Sequence, residues 1–152
     1  RLVQRDLAPQ ETIRLTVQSG SMLPLMPVGA RIEVVAASGS DCRVGDVVVF
    51  RQGERLVAHR LLFGWGHAPG GWFLQRGDGV SPAGFLRSRS ILGRVVAVHG
   101  SAGQVRRLTG DDRRWQARRA ARRSLARYVH SLLANPARKV KRWLIRGNTG
   151  SG

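Results

Sequence analysis

Three residues of this sequence combine reactive side chains with settings punctuated by glycine or proline. They are Ser21 in "VQSGSMLPLMPVGARIEV" (residues 17–34), His59 in "VAHRLL" (57–62) and Asp78 in "QRGDG" (75–79). A serine hydroxyl is a poor nucleophile until a nearby base takes its proton, and an imidazole has a pKa suited to that task near neutrality. A carboxylate can then fix the imidazole tautomer and stabilise the imidazolium that forms. Each residue also has a plainer reading. A turn of Ser, Gly and Pro is the commonest kind of loop, although loops are also where enzymes often hold a nucleophile. A histidine in an apolar run is usually a satisfied core residue, and an Asp in Gly-Asp-Gly can be turn chemistry alone. Met22, Pro24 and Pro27 shape the turn or line an apolar binding surface, and Asp46 reads as a turn residue ahead of a buried strand. His67, His99, His130 and Cys42 stand at no metal-ligand spacing, so neither a metal nor another cofactor is expected.

The elements that must position these residues read as a mainly β body followed by a helical tail. "IRLTVQ" alternates apolar and polar residues, with Ile13, Leu15 and Val17 on one face. "RIEVVAA", "DVVVF", "RLVAHRLLF", "GWFLQR" and "ILGRVVAV" follow as short β-branched or apolar runs, separated by Gly, Ser, Asp or Pro clusters. Composition changes at Asp111. "DDRRWQARRAARRSLARYVHSLLAN" has neither Gly nor Pro and is rich in helix formers, with Asp111 and Asp112 at the end that favours acids. Leu125, Val129, Leu132 and Leu133 form a stripe at helical spacing, and Asn135-Pro136 ends it. A second helix is expected in "PARKVKRWLIR". The division is therefore a β domain over 1–110, a basic amphipathic helical tail over 111–146 and a disordered terminus over 147–152.

Charge separates the two parts. The 152 residues hold 26 Lys and Arg against 9 Asp and Glu, a net +17. Residues 1–110 carry 14 basic and 7 acidic residues, or +7, whereas residues 111–152 carry 12 basic and 2 acidic ones, or +10. A cationic tail with Trp115, Tyr128 and Trp143 interleaved suits an anionic membrane surface, with Trp and Leu inward and Arg outward; nucleic acid is the less favoured partner. One cysteine excludes an intrachain disulfide framework, and no run of about 18 apolar residues offers a transmembrane helix. The start of the chain has no secretory-signal pattern. A membrane-associated or cytoplasmic location follows as the expectation.

The boxes "SGSMLP" (19–24), "GDVVVF" (45–50), "VAHRLL" (57–62), "QRGDG" (75–79) and "ILGRVVAV" (91–98) occur in an order that resembles the signal peptidase I and LexA-type superfamily of serine endopeptidases. The resemblance covers roughly residues 13–98 and nothing in the tail. It implies Ser21 as the nucleophile, with the Ser21 backbone N–H and the Ser19 hydroxyl receiving the oxyanion. Where many of these enzymes place a basic lysine, this chain has His59; its two lysines, Lys139 and Lys141, lie in the tail. That looks like the endoplasmic-reticulum and archaeal type, with Gly77-Asp78 matching its Gly-Asp box. The type usually carries a second Asp a few residues later, but "GDGVSPAGFLRS" has none. Either Asp78 orients His59 alone, or the site is weakened. The implied activity is cleavage of a signal or leader peptide after a small residue. The competing expectation is a non-catalytic or regulatory LexA-like protein that binds nucleic acid through its tail, although no helix-turn-helix signature precedes the β body.

Overall fold

The computed structural model describes residues 12–65, 70–79, 81–108 and 111–134, with 111–115 described by backbone alone. The expected second helix and disordered terminus lie outside these residues. The chain is mainly β: an eight-stranded antiparallel sheet with one C-terminal α-helix among the described residues. The strands are β1 (Thr12–Thr16), β2 (Arg31–Ala36), β3 (Val47–Gln52), β4 (Arg55–Trp65), β5 (Trp72–Arg76), β6 (Gly84–Arg87), β7 (Ile91–His99) and β8 (Val105–Arg107). They run in the order β1-β2-β7-β3-β4-β5-β6, with β8 pairing the far end of β7. The helix α1 spans Asp111–Ala134.

Alternation of side chains decides what each strand buries. In β3, Val47 and Val49 enter a core with Met22, Met26, Ile32, Val34, Val95 and Val98. Val48 and Phe50 point the other way, into a second core with Cys42, Leu61, Phe73, Leu86 and Ile91. Burial on both faces explains why "VVVF" is a continuous apolar run rather than an alternating one. Each such side chain contributes about 1.5–3 kcal/mol by leaving water. The alternation expected in β1 is only partly used: Leu15 and Val17 pack on the first core, whereas Ile13 is exposed.

The helix is not a free tail. Ala121 is fully buried against Leu62 and Leu74, with Leu125, Tyr128, Val44 and Ala83 around them. Small residues on this face let the backbones approach, and the Arg76 guanidinium donates across to the Ser124 carbonyl at 3.4 Å. Gly45 shows how close the packing is. A Cβ there would stand 2.9 Å from the Ala117 carbonyl carbon, and the residue also needs a φ of +100° that other residues adopt with strain. Among the described residues, no helix is long and apolar enough to cross a membrane.

Candidate active site

Ser21 is in the 3-10 turn Gly20–Met22, inside the loop that joins β1 to β2. The base of that loop is closed by backbone bonds from Val17 N–H to the Ala30 carbonyl (2.9 Å) and from Gly29 N–H to the Val17 carbonyl (2.8 Å). Its underside is anchored by two methionines, Met22 at 2% exposure and Met26 at 0%. Met22 therefore does not line an exposed binding surface, as the sequence had allowed. Its burial turns the neighbouring Ser21 outward, half-buried. Pro24 is exposed one step beyond, after a cis Leu23–Pro24 peptide.

The "QRGDG" box meets this turn directly. Gly79 N–H donates to the Ser21 carbonyl at 2.9 Å, and Gly77 lies so close that a Cβ would stand 2.2 Å from the same oxygen. Glycine at 77 is thus required by the close approach of two loops. The 3-10 turn also packs on β4, the strand that carries His59. Ser21 Oγ shares a 3.4 Å hydrogen bond with Ser19 Oγ and, among the described residues, has none with His59. The Ser21 N–H, in the first turn of the short helix, has no acceptor within that turn. Ser19 itself is extended and exposed.

His59 is 9% exposed, with its ring edge-on to Phe50 at 6.0 Å. Its Nδ1 bonds Gln75 Oε1 at 2.5 Å across the β4–β5 pair. The acceptor oxygen places the proton on Nδ1 and leaves the Nε2 lone pair free, which is the tautomer a general base needs. Burial pushes the His59 pKa below its ordinary 6.5, against the smaller opposing effects of the Gln75 bond and the Asp78 charge. The imidazole is consequently neutral at neutral pH. The unfolded chain takes up this proton more readily than the folded one, so acidification through pH 6.5 and below favours unfolding, and above that range the effect vanishes.

Asp78 does not hold His59, contrary to the expectation for a triad. Both its oxygens are occupied by Arg60, whose Nε and Nη2 donate at 2.7 and 2.6 Å. The third arm of Arg60 donates to the Gly45 carbonyl at 2.7 Å. One buried guanidinium thereby ties together the loops at 45 and 78 and the strand of His59. Register accounts for the exchange of partners. Arg60 lies opposite Arg76 and Leu61 opposite Gln75, which puts Gln75 on the His59 face and sends Arg60 to the other. Asp46 serves its turn, accepting from Arg43 N–H at 2.8 Å.

The two residues missed in the sequence, Gln75 and Arg60, did carry a signal: a polar side chain inside an otherwise apolar strand is the informative exception. Gln75 also yields a test. Replacing it by Glu puts a carboxylate on Nδ1–H and stabilises the imidazolium, so Gln75→Glu raises the His59 pKa and Gln75→Leu lowers it. Imidazole proton shifts followed by NMR across pH check both directions.

Among the described residues, no three His, Cys, Asp or Glu side chains gather as metal ligands would. The residues offer a hydroxyl, a neutral imidazole and a backbone N–H, the last two with Nε2 and the hydrogen uncommitted among the described residues, a set suited to acyl transfer. No protein-family model matches the chain, and no curated protein matches it.

Proposed function

We propose that this chain is a serine endopeptidase of the signal peptidase type, cutting a peptide or preprotein after a small residue with Ser21 as nucleophile and His59 as general base. The observation that carries the reading is the buried Gln75–His59 bond, which commits Nδ1 and leaves Nε2 as the acceptor, on the strand against which the Ser21 turn packs. In this reading Ser21 Oγ gives its proton to His59 Nε2 as the oxygen attacks the scissile carbonyl. The tetrahedral oxyanion is met by the Ser21 N–H and the Ser19 hydroxyl. The imidazolium then protonates the leaving amine, and water hydrolyses the acyl-enzyme with His59 again as base. An amide in place of the orienting carboxylate still fixes the ring, as it does in Cys-His-Asn proteases.

A substrate strand has a place to pair. Residues Arg55–His59 of β4 pair with β3 on one side, while pairing with β5 begins only at Arg60. The opposite edge of this stretch leads straight to His59, and Leu56 on it is half exposed. An extended peptide adding along that edge exchanges backbone bonds and presents alternate side chains to the site.

The test is a peptide library rich in Ala-x-Ala segments, incubated with the full chain with and without vesicles and read by mass spectrometry. Cleavage after small residues is the expected result. No cleavage under either condition contradicts the reading.

A further inference from the structure

We infer that the outer face of the β4–β5–β6 end of the sheet is a docking surface for an anionic lipid bilayer, with its aromatic side chains entering the interface and the arginines of α1 meeting the headgroups. This goes beyond the peptidase reading and does not rest on it.

Four large rings are exposed on this face: Phe63 (46%), Trp65 (53%), Trp72 (38%) and Phe85 (66%). Strand register shows that they share it. Trp65 lies opposite Trp72, Phe63 opposite Leu74, and Leu74 opposite Phe85; residues directly opposite in a sheet project to the same side. The intervening Phe73 and Leu86 point the other way, into the core. Leu74 belongs to the outer face and is covered by α1 through Ala121. The rings therefore continue the surface on which the helix sits, a residue or two farther along each strand.

Charge selects the occupant. The five arginines at 118, 119, 122, 123 and 127 are exposed, while Ala121, Ser124 and Leu125 face the sheet. These cations line the sides of the helix turned away from the sheet, toward the solvent that the rings also face. Arg87 lies over the Trp72 ring at 4.7 Å. No Asp or Glu occurs in β4, β5, β6 or at positions 116–134. A surface of exposed Trp and Phe beside a helix that carries arginines and no acid over positions 116–134 matches the chemistry of an anionic bilayer interface, where amphipathic rings sit at headgroup level and each nearby cation adds attraction.

Ring geometry argues against single-stranded nucleic acid, the other polyanion that binds aromatics. Phe63 and Trp65 pack edge to face at 5.0 Å and 86°, Trp65 and Phe85 tilt at 40°, and Arg87 covers Trp72. Bases need open ring faces on which to stack. This surface is distinct from the apolar stripe read in the sequence, of which Leu125 packs on the sheet while Val129 and Leu133 are exposed.

The experiment is co-sedimentation of the full chain with phosphatidylcholine vesicles, plain or containing about 30% phosphatidylglycerol to set a negative surface potential. Binding is expected to the anionic vesicles and to weaken with salt. Trp65→Ser with Phe85→Ser should lower the partition coefficient about tenfold or more with an unchanged melting curve, because both rings are more than half exposed and outside the cores. In a Trp115→Phe/Trp143→Phe background, brominated phosphatidylcholine should quench the remaining tryptophan emission. Partitioning unaffected by the aromatic pair, or emission that is not quenched, overturns the inference. So does a lipid-free dimer dispersed by the same pair, which assigns the face to a second copy. Binding to single-stranded oligonucleotide that the pair abolishes, in the absence of vesicle binding, assigns it to nucleic acid instead.

Discussion

Ser21→Ala and His59→Ala are each expected to lower kcat for small-residue peptides by about 10,000-fold, the scale of losing a nucleophile or its general base when the two work as a unit. The effects should not add: the double variant loses little more than either single one, since neither group acts without the other. The pH dependence separates this from a structural explanation. In the unaltered chain kcat/KM should rise with pH through an ionisation below 6.5, because burial holds His59 in its neutral, base-competent form. A melting curve for each variant reports any loss of structure independently. His59→Ala leaves the buried Gln75 amide without its partner, which costs about 1–3 kcal/mol. Ser21→Ala removes only a hydroxyl bonded to the exposed Ser19 and should melt as the parent does.

The second large effect falls on stability. Asp78→Ala strands the Arg60 guanidinium, whose side chain is 7% exposed and which loses two of its three hydrogen bonds. An uncompensated buried charge of this kind costs about 3–5 kcal/mol, or roughly 10 °C in melting temperature for a chain of this size. Replacing both partners by apolar residues of similar volume should recover most of that loss, because the desolvation of both charges is relieved together. Asp78→Ala also removes a negative charge that favours the His59 imidazolium, so the His59 pKa should fall further. Calorimetry and an NMR titration of His59 read the two consequences separately. An unchanged melting temperature would show that Asp78 has no part in holding these loops together.

Much of this fold was legible in the sequence because each long strand carried its own signal. The six runs read as strands correspond to β1 to β5 and β7, and the helix begins where composition shifts, at Asp111. The two unread strands, β6 and β8, have four and three residues, too short for alternation to show; β6 exists because Leu86 completes the core beside Phe73. In the candidate site, the order of the boxes drew attention to Ser21, His59 and Asp78, and the structure places the Ser21 turn against both β4 and the Gly77–Gly79 loop. The partners were not legible. Whether His59 meets Asp78 or Gln75 depends on the β4–β5 register and on an irregularity between Leu61 and Phe63, and no spacing along the chain encodes either. Met22 was misjudged for a related reason. A methionine beside a turn serine reads equally well as lining or as anchor until the core beneath it is known.

The most direct test needs no substrate. Ser21→Cys places a thiol at the nucleophile position, and its alkylation rate against pH reports whether a base stands beside it. The native Cys42 is silent in such an assay: it is fully buried, and burial above all pushes its pKa up to about 12. If His59 serves position 21, the new thiol should react with an apparent pKa below the ordinary value of about 8.5, and adding His59→Ala should return it to that value. Identical profiles with and without His59 would contradict the pairing on which the proposed peptidase depends.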